Sequence, residues 1–109
     1  MLTLKHYQQT ALDSLRDYLA LARTQGAKRA FIELTERPYH SVPQLPGLPY
    51  VCLRIPTGGG KTLMACHAVS IAAREFLQSD TGVVLWLTPT NTIKDQTLAA
   101  LNSLREYCI

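Results

Sequence analysis

This chain has no CxxC pair, no run of basic residues longer than two and no unbroken apolar tract of membrane length, and each absence removes a class of protein. The three cysteines, Cys52, Cys66 and Cys108, are odd in number and far apart. That suits reduced structural thiols in a cytoplasmic protein better than a disulfide framework or a zinc site. The longest apolar tract, Leu63 to Ala73, is interrupted by His67 and Ser70 and falls well short of the roughly 20 residues a bilayer span needs. It reads as a buried helix, and no membrane partner is expected. Lys5 and His6 break up the first residues with no long apolar run behind them, so a signal peptide is not expected either. The basic residues number eleven against eight acidic ones, a formal charge of +3, and Lys28-Arg29 is their only adjacent pair. Charge this scattered permits a nucleic-acid partner without requiring one. No internal repeat is visible.

With 109 residues, 47% of them hydrophobic, the chain has the size and composition of one small globular domain. Leu4, Tyr7, Ala11, Leu12, Leu15, Tyr18, Leu19 and Ala22 recur at steps of three and four. This spacing predicts an amphipathic helix from about Lys5 to Gln25, with Gly26 as its stop. Ala27 to Glu36 predicts a shorter helix with Ala30, Phe31 and Leu34 on one face, ended by Pro38. Between Arg37 and Pro49 stand Pro38, Pro43, Pro46, Gly47 and Pro49, too many breakers for helix or central strand, so an extended surface connection is expected. Tyr50 to Ile55 is a short β-prone segment. Leu63 to about Gln78 has helical spacing and is apolar on several faces. Val83 to Thr88 is a continuous apolar run of strand length, and such runs read as strands buried on both faces of a parallel sheet. Thr90 or Asn91 can cap a last helix from about Thr92 to Tyr107, where Ile93, Thr97, Leu101 and Leu104 keep the step. Strands alternating with helices predict an α/β fold: a parallel sheet with right-handed crossovers and its ligand beyond the carboxyl ends of the strands.

The segment that carries chemistry is Ile55 to Thr62, IPTGGGKT. Gly58, Gly59 and Gly60 let the backbone curl with N–H groups pointing inward, where side chains would obstruct. Pro56 and Thr57 lead into this curve. Lys61, the candidate catalytic residue, adds a mobile point charge, and Thr62 offers a hydroxyl to a magnesium ion that bridges the last two phosphates of a nucleotide. The positive end of the following helix would face the same anion. A glycine linker would not sit between an apolar strand and an apolar helix, and a GxGxxG dinucleotide fingerprint fails because Leu63 stands where its third glycine belongs. The general GxxxxGK[ST] pattern wants glycine at position 55, where this chain has Ile55.

The spelling PTGxGKT without that leading glycine resembles motif I of superfamily-two helicases and translocases. LWLTPTNTIKDQ, residues 85 to 96, resembles their motif Ia, PTxxLxxQ, through Pro89-Thr90, Ile93 and Gln96. A strand end followed by a helix N-terminus would present N–H groups and the Thr90 hydroxyl to a nucleic-acid phosphate without reading any base. Leu4-Lys5-His6-Tyr7-Gln8 is similar to the LRxYQ stretch of the same enzymes, with lysine for arginine, and there the glutamine recognises adenine. The carboxamide of Gln8 has the acceptor and donors to pair with the adenine edge. Gln9, next along the helix, would point about 100° away.

Taken together the motifs resemble the first motor domain of superfamily-two enzymes, closest to the helicase subunit of type III restriction enzymes, over essentially the whole chain. The resemblance implies a partial RecA-like phosphate-loop domain, divided into an adenine-motif helix (1–26), an insertion (27–49) and phosphate-loop and motif Ia units (50–109). ATP and Mg2+ are the implied cofactors. The implied partners are nucleic acid, DNA ahead of RNA, and a second RecA-like domain of the same motor. Such enzymes also need an adjacent Asp-Glu pair for magnesium and water, and this sequence has none. The expectation is therefore the nucleotide-binding half-site of a larger ATP-dependent translocase, inactive alone in hydrolysis. A phosphate-loop ATPase or kinase that never touches nucleic acid is the alternative.

Overall fold

A computed structural model describes residues 4–56 and 60–108 of the chain, with side-chain detail as far as Asn102. The order is α1 (His6–Gln25), α2 (Ala27–Thr35), α3 (Lys61–Ala72), a π-helical turn (Ala73–Leu77) and α4 (Asn91–Cys108). The core gathers on α1, whose buried residues Leu12, Leu15, Tyr18, Leu19 and Ala22 follow the predicted stripe. Ala30 of α2 and Met64 and Ile71 of α3 complete the buried cluster. The spacing dictates this arrangement, because residues three and four apart share one helix face and must cover it with neighbours.

Gly26 separates α1 from α2 by one residue. Its φ of 94° lies in a region side chains rarely adopt, and that lets its N–H close α1 on the Ala22 carbonyl at 2.9 Å while its own carbonyl accepts from the Ala30 N–H at 3.1 Å. The helix predicted to run to about Gln78 does so, but changes pitch after Ala72. A turn closed by i→i+5 bonds lets Ile71 and Phe76, five apart, both pack into the core. Gln78 then ends it in the left-handed conformation, φ 52°.

The predicted α/β fold, a partial RecA-like domain with a parallel sheet, is not what the structure shows: the described residues are mainly helical and form no strand and no sheet. Tyr50 to Ile55 carries no regular structure, and Leu53 and Ile55 pack against the core while Cys52 and Arg54 are exposed, a strand-like alternation over 52–55 without a ladder. Val83 to Thr88, predicted to be buried on both faces, is also unpaired, with Val83 fully exposed and Leu85 and Leu87 more than four-fifths exposed. A strand is a relation between two segments, since its backbone groups must find partners about 4.8 Å away. Composition can favour that state but cannot supply the partner.

The proline-rich connection is more ordered than its composition suggests. Phe31 packs edge-on against Tyr18, ring centres 6.1 Å apart at 88°, and against Tyr39 at 5.3 Å. The Tyr39 hydroxyl donates to the Leu48 carbonyl at 3.0 Å and accepts from the Tyr50 N–H at 2.9 Å, so one side chain closes the loop across its base. An isolated antiparallel bridge joins Val42 and Leu45 within it. Tyr18 donates to the Ala27 carbonyl at 3.2 Å. Burial, helped by the adjacent Tyr39, raises its phenol above the ordinary range, so it stays protonated and a donor at all physiological pH.

Two outcomes follow for stability. Leu12→Ala, at a position 2% exposed, is expected to cost about 2–5 kcal/mol through lost burial and the cavity left behind. Tyr39→Phe keeps the ring and removes both hydroxyl bonds, for a loss of about 1 kcal/mol at this half-buried site. Urea midpoints should fall in that order, and a Tyr39→Phe midpoint equal to wild type would show that the hydroxyl does not hold the loop.

Candidate nucleotide-binding site

The phosphate-loop segment is described at its two ends. Pro56 is exposed, Thr57, Gly58 and Gly59 lie outside the described residues, and Gly60 is the residue from which α3 starts. Gly60 has φ 76° and ψ 42°, left-handed backbone that favours glycine, and its carbonyl accepts the first helical bond from Met64 at 2.9 Å. With no side chain it cannot cap the helix, and no acidic residue occupies the first turn of α3. The positive end of the helix is therefore not neutralised by its own sequence, which suits it to an external anion. Lys61 and Thr62 fall in that first turn, Lys61 exposed and Thr62 half-buried. Lys61 also lines the rim of an apolar groove bounded by Leu15, Leu53, Ile55 and Met64.

Gln8 stands on α1 as its sequence position predicts, with its side chain turned to the core. It is 5% exposed, the buried polar residue on the α1 core face. Its Oε1 accepts the Lys5 backbone N–H at 2.9 Å from the third helical position, the one half of a helix-start box that a lysine N-cap, having no acceptor, allows. That bond sets which way the carboxamide faces. Its Nε2 lies 2.8 Å from where a Cβ on Gly60 would stand. Fold and motif thus bring Gln8 and Gly60 together across more than fifty residues of sequence. A signal was present: Gln8 is four residues from both Leu4 and Leu12, on the apolar stripe. Gln9 points away as expected, exposed and bonded to Asp13 at 2.9 Å.

Pro89 and Thr90 lead into α4, which packs against α3. The Thr90 Oγ1 accepts the Ile93 N–H at 3.2 Å and its carbonyl accepts the Lys94 N–H at 3.0 Å. Thr90 is thus the N-cap, one of the two residues its sequence offered for that part. The bonds it makes are local, to residues 88, 93 and 94, and do not tie it to Lys61 or Thr62. No cluster of metal-ligating side chains occurs among the described residues, and no described helix is long and apolar enough to cross a membrane.

An uncapped helix end carrying lysine and threonine, in a chain with these flanking motifs, accords with the class of helicase-type ATP-dependent motors, to which the matched family points. The family model for the type III restriction enzyme res subunit matches residues 1–108, and the chain belongs to that family. No curated protein and no solved structure matches it.

If Thr90 caps α4, Thr90→Ala should destabilise the chain by about 1 kcal/mol and Thr90→Ser should restore most of that. Thermal melts followed at a helix band test it, and identical melts for alanine and wild type would remove the capping role.

Proposed function

We infer that this chain is the ATP-binding portion of an ATP-dependent DNA or RNA helicase or translocase, in the narrower form the motor of a type III-like restriction endonuclease. The observation that carries the reading is the junction at Gly60, a left-handed glycine that hands the chain directly to a helix with Lys61 and Thr62 in its first turn. Membership of the res-subunit family supports it from the whole length of the chain.

The residues on either side of the junction fit ATP and Mg2+ by their chemistry. The N–H groups at the start of α3 and the Lys61 ammonium would hold phosphate oxygens, Lys61 as a charge that follows them. Thr62 would give its hydroxyl oxygen to the magnesium ion, and Pro56, Thr57, Gly58 and Gly59 would complete the cradle. Bound ATP supplies the phosphoanhydride whose cleavage drives such motors. With no adjacent Asp-Glu pair in the sequence, the part proposed for this chain is to hold the nucleotide.

Pro89 and Thr90 form the proposed contact with nucleic acid, DNA ahead of RNA. A hydroxyl oxygen that accepts from Ile93 still has its proton to donate, so Thr90 can cap α4 and bond a backbone phosphate together. The remainder of the motor is the protein partner in this reading, and the cytoplasm its compartment. The alternative, a phosphate-loop ATPase or kinase without nucleic acid, shares the Gly60–Thr62 site and lacks only this contact.

Lys61→Ala should weaken ATP binding about tenfold or more, since charge-assisted bonds of this kind contribute roughly 1.5–3 kcal/mol and tenfold is about 1.4. Titration calorimetry with and without magnesium measures it. Equal affinity for both proteins would remove the phosphate-loop assignment.

A further inference from the structure

On the seam between α1 and α3 lies a polar cleft of about 210 Å³, lined in part by the buried Leu12 and Ile71. Spacing along the sequence builds both of its walls. Gln9 and Arg16 stand two turns apart on one face of α1, and His67 and Arg74 stand two turns apart where α3 passes into the π-helical turn, with Ser70 between them. The α1 wall is oriented by a single carboxylate: the Gln9 Nε2 and the Arg16 Nη1 both donate to the Asp13 Oδ1, at 2.9 and 3.0 Å. On the opposite wall the Arg74 Nη2 donates to the Ser70 Oγ at 2.9 Å, and that hydroxyl keeps its proton to donate. A guanidinium has five N–H groups, and these bonds use one on each arginine. The half-buried His67 ring is bonded to no other described residue. Arg74 belongs to the π-helical turn, a feature frequent at functional sites, and Phe76 in the core pins that turn in place.

We propose that this cleft is an anion site that takes a single phosphate group between Arg16 and Arg74. It shares no residue with Gly60–Thr62 and does not rest on the nucleotide-binding reading. Walls made mostly of donors call for a ligand made of acceptors, and an oxyanion is that ligand, held by charge-assisted bonds above an apolar floor that strengthens them. At roughly 30 Å³ per water, the space admits a phosphate group with a few bridging waters and not a whole nucleotide. Glu75 is the carboxylate among the lining residues, and with Asp13 it offsets the formal charge of the two arginines. Attraction therefore comes from the placement of donors rather than from net charge, which suits a singly charged group at roughly millimolar affinity and not a polyphosphate. Free inorganic phosphate and the phosphodiester of a nucleic-acid backbone both carry this chemistry.

The test is a titration of the full chain with inorganic phosphate, followed by NMR at the side-chain Nε–Hε signals of Arg16 and Arg74 so that the cleft is read apart from Lys61. Both signals should shift along one saturation curve, and chloride at equal ionic strength should leave them in place. Arg16→Gln and Arg74→Gln, each read at the remaining arginine, should weaken binding about tenfold. Arg74→Lys, which keeps the charge and loses the fork, should regain part of that loss. Glu75→Gln removes a like charge facing the ligand and should strengthen binding several-fold. A short oligothymidylate separates the sources: shifts of the same signals at lower concentration than inorganic phosphate assign the backbone, shifts with inorganic phosphate alone assign the free anion, and either supports the site. Signals that move equally with chloride, or an affinity unchanged in both glutamine variants, would overturn the proposal. Should an arginine variant fail to fold, Glu75→Gln still decides, because unchanged or weaker binding there would overturn it as well.

Discussion

Leu12 and Met64, the two largest fully buried side chains, belong to one cluster that joins the first helix to the helix after the phosphate loop. The rest of the structure depends on that α1 to α3 contact. α2 packs on α1, the π-helical turn packs on both α1 and α3, and α4 packs on α3. Tight packing at this seam has a consequence for the site, because interiors have few voids and transmit displacement rather than absorb it. Gln8 lies one turn before Leu12 and Gly60 one turn before Met64, so the same seam that makes the core brings Gln8 beside Gly60. The candidate site is an extension of the core at its polar end.

α3 serves two neighbours, and its composition reflects that. Its residues are apolar on several faces, with Met64, Cys66 and Ile71 buried and Ala68 and Ala72 packed beside the cluster. A helix covered on two sides keeps little freedom of rotation, and this orients Lys61 and Thr62 at its open end. The π-helical turn continues the burial past Ala72, holding Phe76 in the core before the chain leaves through the left-handed Gln78. Tyr39 does the corresponding service for the proline-rich connection. It replaces regular structure with one hydroxyl that bridges Leu48 and Tyr50, where segment 50–55 leaves the loop.

The two β-prone segments differ in a way that pattern reading could not separate. Both are β-prone and apolar. Residues 52–55 alternate, Leu53 and Ile55 packed against the core and Cys52 and Arg54 exposed. Residues 83–88 meet no such surface among the described residues, and Val83, Leu85 and Leu87 stand in solvent. Burial of a strand on both faces requires two covering layers and two ladder partners. Hydrophobicity states what a segment would gain from such a setting. It is silent on whether the setting exists.

Local chemistry was legible from the residues themselves. The step of three and four from Leu4 to Ala22 determined α1 and its buried face, Gly26 and Pro38 bounded α2, and the residues around Thr90 announced a helix start, since each of these states is decided within one or two turns of chain. The motif spellings determined the family as well. The tertiary structure decided what depends on distant partners: the absence of a sheet among the described residues, the burial of Gln8 on the stripe it shares with Leu4 and Leu12, the space it takes from Gly60, and the closure of the proline-rich loop by Tyr39. Those outcomes are contacts between residues far apart in sequence, and a pattern read along one chain carries no term for the separation in space that makes or withholds them.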